Sequence, residues 1–457
     1  MFDEYALVRS TNTRRVFKTP KWNMDVQPFH DPQFPRGVSL SVPEPAPDGG
    51  YYAYYQGTPG WELPEDDTYL IRCRAFSQDG IKFHPDHTAS PNDLEFSQRF
   101  DEVNRGYDDP CEANPVWRYK RVYQDRHRDS EGEVVIAPPV LQVSPDGIHW
   151  LQHGEQIYSD YIDTDYNIYR NPVDKKLYIY CRPGFIDRRV AVLAANDDYT
   201  HWTERICIAH DAFDPVNADI YGMSFKFIDS LDLFVGMVHV YERTFDYPAW
   251  KELGRIRPEY AYSYDGVVWY RTHASVFDLN SVPRGAFGSG MCFVSFCDDG
   301  GVDQRFCALM YNADHGGRPG GGNRAVSGFG TLERDRIVCI DTESGLGSFR
   351  TLCLRLNKPF LTMDLNDPFG TLSARLTDVE GRVIPGFTNE DFISPGAGNA
   401  YQAPLCWSGG TLDQLMQEGT WFHLEFTLEQ AELYGVQGDF YMQQWPLGDT
   451  PQLRVRP

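Results

Sequence analysis

The stretch Ser144-Pro-Asp-Gly-Ile-His-Trp150 decides the fold, because the chain repeats it. Ser77-Gln-Asp-Gly-Ile-Lys-Phe83 and Ser263-Tyr-Asp-Gly-Val-Val-Trp269 follow the same pattern, Ser-x-Asp-Gly-(Ile/Val)-x-aromatic. Asn196-Asp-Asp-Tyr-Thr-His-Trp202 is a weaker copy and Leu332-Glu-Arg-Asp-Arg-Ile337 a degenerate one. The pattern describes a tight hairpin. The Asp side chain accepts from backbone N–H groups ahead of it, and Gly takes the positive φ that the turn requires. The β-branched residue and the aromatic then open the next strand. A single Asp-Gly hairpin occurs in any β protein; an ordered series of them does not.

The aspartates Asp79, Asp146, Asp198, Asp265 and Asp335 follow one another at steps of roughly 50 to 70 residues, enough for about four strands and their loops. Upstream of each lies a segment rich in Tyr, Phe and aliphatic residues: Tyr51–Gln56, Trp117–Tyr123, Leu177–Cys181, Leu231–Tyr241 and Gln304–Tyr311. Five units of four antiparallel strands with little helical periodicity predict a five-bladed β-propeller over 1–340. The alternative is a sandwich whose hairpins coincide by chance. From about residue 341 to 457 the motif stops. Alternating stretches such as Leu352–Leu356, Leu372–Leu376 and Phe422–Leu428, separated by polar turns, predict a jelly-roll-like β-sandwich there. Within it Thr411–Gly419 reads as one short helical turn with a Gly stop.

Composition narrows the function. Against 42 Lys and Arg stand 65 Asp and Glu, a net charge of −23. That field repels phosphate backbones and anionic lipid, so neither nucleic acid nor a membrane surface is expected as a partner. The longest apolar run, near Leu233–Val240, is too short to cross a bilayer. MFDEYALVRSTNTRRVF at the N-terminus has no apolar core of a secretion signal, which predicts a cytoplasmic location unless a signal has been trimmed away. Ten Cys without a C-x-x-C spacing predict free, buried thiols rather than a metal or disulfide frame. The one close His pair, His84-Pro-Asp-His87, follows a hairpin and predicts no metal. The glycine-rich stretch over 316–323 lacks the lysine of a phosphate loop, and no G-x-G-x-x-G opens a helix, so no cofactor is expected.

Propeller chemistry sits in an axial funnel lined by the first strand of each blade. Those strands are expected at about Val38–Val42, Tyr107–Val116, Ile162–Arg170, Ala218–Ile228 and Ala286–Phe296. Their acids are the candidates: Asp109 beside Asp108 and Glu112, then Asp163 and Asp165, then Asp219. Carboxylates converging on one axis raise the pKa of one member, which sets an acid beside a base. Glycosidic cleavage asks for that pair. Each Asp taken singly has a plainer reading as a turn cap. Glu259 is a further candidate, as a general acid at the funnel mouth or as a surface partner of Arg255 or Arg257. Asp31 before Pro32 supplies another carboxylate or a cap. Sugar rings stack on flat apolar faces, so Tyr161, Tyr166, Tyr221, Trp250 and Tyr260 are candidate platforms, and Arg182 a candidate holder of a carboxylate or hydroxyl.

The hairpin copies SQDGIKFHP (77–85), SPDGIHW (144–150) and SYDGVVWYR (263–271) resemble the blades of glycoside hydrolase family 32/43-like five-bladed propeller proteins. YIDTDYN (161–167), KLYIYCR (176–182), DIYGMSF (219–225) and PEYAYS (258–263) resemble segments of a branch of that superfamily with an appended sandwich. The segments 331–351 and 409–435 resemble that sandwich. The resemblance implies three acids at the propeller axis, as nucleophile or base, auxiliary Asp and general acid. The Asn-Asp-Pro-Asn, Arg-Asp-Pro and Glu-Cys signatures of fructosidases are missing, Lys21-Trp-Asn-Met-Asp25 being the nearest echo of the first. Asp163, Asp219, Glu259 and Asp109 are therefore assigned by blade position alone. The expectation is a glycosidase or transglycosylase acting on furanosides or short oligosaccharides, with a non-catalytic carbohydrate-binding propeller or an interaction protein as alternatives. Oligomeric state is left open, a homo-oligomer included.

Overall fold

A computed structural model describes residues 6–23, 39–40, 44–46, 49–57, 70–80, 82–86, 96–97, 107–147, 149–159, 162–183, 190–243, 254–276, 292–297, 303–311, 325–342, 344–367, 369–396 and 398–443. Asp31, His87, Tyr161, Trp250 and the glycine-rich stretch over 316–323 lie outside these residues. So do the side chains of Asp163, Asp165 and Tyr166, whose backbone is described. The described chain is nearly all β; among its residues the helical elements are Leu412–Gln417 and a single 3-10 turn at Pro115–Trp117.

The chain divides into two compact units, residues 19–332 and residues 1–18 with 333–457. The larger unit is a series of antiparallel sheets. Sheet one pairs Ser39–Leu40, Tyr51–Gly57, Leu70–Ser77 and His84–Pro85 in that order, with short additions from Glu44–Pro45 and Phe96–Ser97. Sheet two runs Tyr107–Asp108, Tyr119–Tyr123, Val140–Ser144, Leu151–Gln156. Sheet three runs Ile162–Arg170, Leu177–Pro183, Val190–Ala195, Trp202–Ile208, and sheet four Ala218–Ile228, Leu233–Arg243, Gly254–Ser263, Tyr270–Ser275. Sheet five takes three strands in sequence, Cys292–Cys297, Asp303–Tyr311 and Ala325–Glu333. Its fourth is Lys21–Asn23 from the start of the unit, with Gly330 opposite Trp22.

Strand chemistry follows position in the sheet. Leu177–Pro183 (LYIYCRP) is buried along its whole length. Rows of β-branched and aromatic residues suit a strand covered on both faces. Leu151–Gln156 (LQHGEQ), at a sheet edge, is mostly exposed. Val122, Leu141 and Val143 of sheet two pack with Ile162, Ile168, Leu177 and Ile179 of sheet three. Tyr180 and Val192 of sheet three pack in turn with Ile220, Phe234, Val238 and Trp269 of sheet four.

The repeated motif forms the same turn three times. Ser77, Ser144 and Ser263 donate through Oγ to Oδ1 of Asp79, Asp146 and Asp265 at 2.9, 2.9 and 3.1 Å. Each Asp Oδ1 then accepts from the N–H three residues on, in Lys82, His149 and Val268, at 2.9, 2.8 and 2.8 Å. The glycines behind them sit at φ 70°, 75° and 74°. In the weaker copy Tyr199 occupies the glycine position and itself adopts φ 59°. The degenerate copy departs from the pattern: Asp335 is the left-handed residue, at φ 62°, so it stands where glycine should rather than where the capping Asp should. The turn of sheet four is keyed into sheet three, since Asn171 Nδ2 donates to the Asp265 carbonyl at 2.7 Å and Tyr180 donates to that of Gly266.

The smaller unit holds one four-stranded sheet, ordered Leu7–Thr11, Leu346–Thr351, His423–Glu429, Thr371–Thr377. A five-stranded one is ordered Arg14–Phe17, Val338–Asp341, Glu432–Met442, Leu354–Asn366, Asn399–Pro404. Phe349, Leu372, Leu424 and Phe426 of the first share a core with Leu354, Leu356, Met363 and Leu433 of the second. Where the sequence predicts one division of the chain, at 340/341, the compact units divide it at 18/19 and again at 332/333, so residues 1–18 fall in the smaller unit. The two N-terminal strands pair with Leu346–Thr351 and Val338–Asp341, which local sequence does not announce.

Candidate active site

Two of the strands expected to carry acids begin alike. Asp163 is the second residue of Ile162–Arg170, and Asp219 the second of Ala218–Ile228; each strand opens a four-stranded sheet. Each also loses register near its acid, within the stretch that holds Asp163 in the first and just beyond Asp219 in the second. In sheet three Ile162 faces Pro183 while Tyr166 faces Cys181. In sheet four Ile220 faces Val240 while Gly222 faces His239, leaving Tyr221 extra. A bulge of this kind turns a side chain away from the regular pleat and frees a backbone group, and such bulges gather beside functional sites.

Arg182 joins the two bulges. It is the penultimate residue of the second strand of sheet three, is buried, and donates through Nη1 to the Tyr221 carbonyl at 2.5 Å. Its guanidinium lies 4.2 Å from the centroid of the Tyr221 ring, which meets Tyr241 edge-on at 5.9 Å. Beside this contact a small cleft opens between the sheets, lined by Asn167, Tyr180, Cys181, Arg182, Gly222 and Met223. The Asp219 carboxylate is buried and accepts from the Ile220 N–H at 3.0 Å. Arg182 and Tyr221 thus meet at the junction of sheets three and four, with Asp219 two residues before Tyr221 on its strand, and the backbone at 163–166 starts the neighbouring strand.

Asp109 and Glu259 are placed elsewhere. Asp109 follows Tyr107–Asp108 and is fully buried against Lys120, which is itself 0% exposed. Lys120 Nζ donates to Asp109 at 3.0 Å, to Glu112 at 2.9 Å and to the Trp117 carbonyl at 2.7 Å. Arg170 of sheet three adds its Nε to Asp109 at 3.1 Å, and its Nη2 donates to the Tyr199 hydroxyl at 2.8 Å. Tyr199 in turn donates to Glu112. Burial alone would raise the Asp109 and Glu112 carboxyls. The donors around them, Arg170 and Lys120 for Asp109, Tyr199, the Asn114 N–H and Lys120 for Glu112, outweigh it and hold both below the usual carboxylate range. This is a charge-balanced clamp between sheets two and three. Spacing could not show it, because its hydrogen-bonded pairs are up to 87 residues apart.

Glu259 sits on the third strand of sheet four. The register Asp219–Tyr241–Ile256 puts it about 10 Å across the sheet and about 10 Å along it from Asp219. It is fully buried, accepting from Arg271 Nε at 2.6 Å and Arg257 Nη1 at 3.1 Å. The pairing with Arg257 is the one the sequence offers as the plainer reading, though the pair is interior rather than on the surface. Tyr260 is fully buried and packs as core.

Among the described residues, one group could offer three ligands to a metal: Asp211, Asp214 and His273. Arg271 already grips both Asp214 oxygens and holds that carboxyl low despite its burial, so a cation there would have to compete with a guanidinium.

No family model matches the chain, and no curated protein matches it. Solved structures that it is similar to include an N-acetylgalactosamine deacetylase from F. plautii in complex with blood group B trisaccharide, 14% identical, covering 70% of this chain and 95% of that one at a TM-score of 0.41. A thermostable family-43 glycoside hydrolase is 12% identical, with coverage of 69% and 97% and a TM-score of 0.37. An endo-1,4-β-xylanase from Bacteroides thetaiotaomicron is 12% identical, with coverage of 67% and 91% and a TM-score of 0.33. Likenesses this loose carry no argument about substrate or mechanism.

Proposed function

We propose that the chain is a glycoside hydrolase whose chemistry lies at the start of the first strands of sheets three and four. In this reading the five sheets are the blades of a five-bladed propeller, and the smaller unit is a β-sandwich. The observation that carries it is the matched pair of acid-bearing, bulged strand starts on neighbouring sheets, at Asp163 and Asp219, with the Arg182–Tyr221 contact joining the two sheets. Two carboxyls across a sugar supply the acid and the base, or the acid and the nucleophile, that glycosidic cleavage needs. Arg182 and the Tyr221 ring offer a cation and a flat face to the sugar. Asp165 and Tyr166, in the same bulge, serve as contacts for its hydroxyls and ring. Glu259 and Asp109 hold the sheets in place through their ion pairs.

The test is a screen of aryl furanosides, aryl pyranosides and short oligosaccharides with product chromatography. Turnover by the native chain is expected to fall by about a thousandfold or more in both Asp163→Asn and Asp219→Asn. Full activity in both variants overturns the assignment. A second reading, a non-catalytic carbohydrate-binding protein, is favoured by the fact that two of the four acids expected to be catalytic are bound in salt bridges. Glycan binding without turnover over days would select it.

A further inference from the structure

The solvent-facing side of the five-stranded sheet carries an arginine in unusual company. Leu354 and Leu356 point into the core, so Arg355 between them points out. Its cross-strand neighbour is Tyr441, and Leu354 bridges Phe422 on the other side, which brings Trp421 alongside. The guanidinium therefore lies between two rings, 5.2 Å from the Trp421 centroid and 5.1 Å from that of Tyr441. Arg350, Arg375, Arg336, Arg271 and Arg170 each meet a carboxylate. Arg355 is half-buried and meets none among the described residues. Two steps along, Asn357 Nδ2 donates to Asp439 at 3.0 Å and Lys358 pairs with the same carboxylate at 3.2 Å. Tyr441 is 54% exposed.

Two ring contacts restrict the arginine, and its guanidinium carries five N–H groups in the fork that matches a carboxylate. The rings that hold it have outer faces and edges of the kind sugars stack on, and the Asn357–Asp439 pair sets an amide and a carboxylate side by side for hydroxyls. Asp439 is neutralised by Lys358, so the patch is locally cationic on a chain of net charge −23. A cation that meets no carboxylate among the described residues is fitted to receive one from outside.

We propose that this face binds an acidic saccharide, the uronate carboxylate on Arg355 and the sugar ring against Trp421 or Tyr441. The choice of a saccharide over another carboxylate rests on the glycosidase reading; the carboxylate itself does not.

The test is calorimetric titration of the full chain with oligogalacturonate, its fully methyl-esterified form, a glutamate-rich peptide and free acetate. Oligogalacturonate is expected to bind, and the ester about tenfold to a hundredfold more weakly, as for loss of a charge-assisted pair. Arg355→Met should lose the same factor on the acid and nothing on the ester. Tyr441→Ala should weaken both. Each variant is first checked for an unchanged melting temperature; should Arg355→Met fail to fold, the acid-to-ester ratio of the native chain still decides. Equal binding of acid and ester, or no binding of the acid at millimolar concentration, overturns the proposal. Equal binding of the peptide or of acetate removes the saccharide. Repeating the titration in Asp163→Asn separates the two readings, because binding at Arg355 should persist there whether or not hydrolysis is found.

Discussion

Replacing Lys120 by methionine probes the interior of the larger unit most directly. Methionine keeps much of the stem volume, so the loss is the ammonium and not a cavity. Three contacts vanish together, to Asp109 at 3.0 Å, to Glu112 at 2.9 Å and to the Trp117 carbonyl at 2.7 Å. Breaking a buried pair by removing one partner costs about 3–5 kcal/mol, because the other charge stays behind. Here Arg170 still serves Asp109, and Tyr199 with the Asn114 N–H still serves Glu112, so the lower part of that range, about 3 kcal/mol, is expected. Adding Glu112→Gln restores one cation to one anion and should recover about 1–2 kcal/mol by the same reasoning. Urea unfolding followed by near-ultraviolet circular dichroism at pH 7.5 gives both numbers. The pH dependence has a definite sign. Asp109 and Glu112 are held below their ordinary values, so the stability they confer is present above the unfolded carboxyl range, about 4, and is lost as pH falls through the folded values. With Lys120 gone the carboxyls are held down less, so the gap between native and variant chains should narrow in acid. A cost below about 1 kcal/mol at pH 7.5, or a gap that widens on acidification, would refute the reasoning.

Three further outcomes follow from the same geometry. Gly266→Ala should destabilise by about 2–4 kcal/mol, because its Cβ would lie within about 3 Å of Tyr180, Phe234 and Asn171 at an unfavourable φ; Gly147→Ala, with only Tyr119 at 3.5 Å, should cost about 1 kcal/mol, and thermal melting compares them. Native-state alkylation read by mass spectrometry should label Cys111 and Cys406 before Cys339 and Cys353, since burial pushes the thiols of the latter two up to about 12 and about 11; early labelling of Cys339 would contradict this. Glu259→Gln should cost about 2–4 kcal/mol in urea unfolding by leaving Arg271 and Arg257 short of an anion, and a stability unchanged within 0.5 kcal/mol would show that the buried pairs contribute nothing.

What could be read from the sequence was what neighbouring residues decide. The predicted first strands Ile162–Arg170 and Ala218–Ile228 match the structure end to end, because β-branched and aromatic runs bounded by turn residues define such strands locally. The Ser-x-Asp-Gly turn was legible for the same reason, its hydrogen bonds spanning three residues. The bulges near the starts of these two strands were not, since register belongs to two strands at once. Nor were the partners of Lys120, Arg170 and Glu259, which depend on which sheets pack together. Tyr199 shows the limit well. It reads as a failed glycine, yet the left-handed turn it accepts is the one that brings its hydroxyl to Glu112 and Arg170. Lys21–Asn23 is too short to carry any pattern of its own, and only the open edge of sheet five explains it.

That last pairing has a bearing on biosynthesis. The partner of Trp22 is Gly330, so an early part of the nascent polypeptide must wait, unmated, while some three hundred residues leave the ribosome. Sheet five cannot be completed until then, and a chain stalled before residue 330 would present a raw edge to chaperones and proteases. Native-like resistance to digestion of the larger unit should therefore arise abruptly, once Gly330 has emerged, and not in five graded steps.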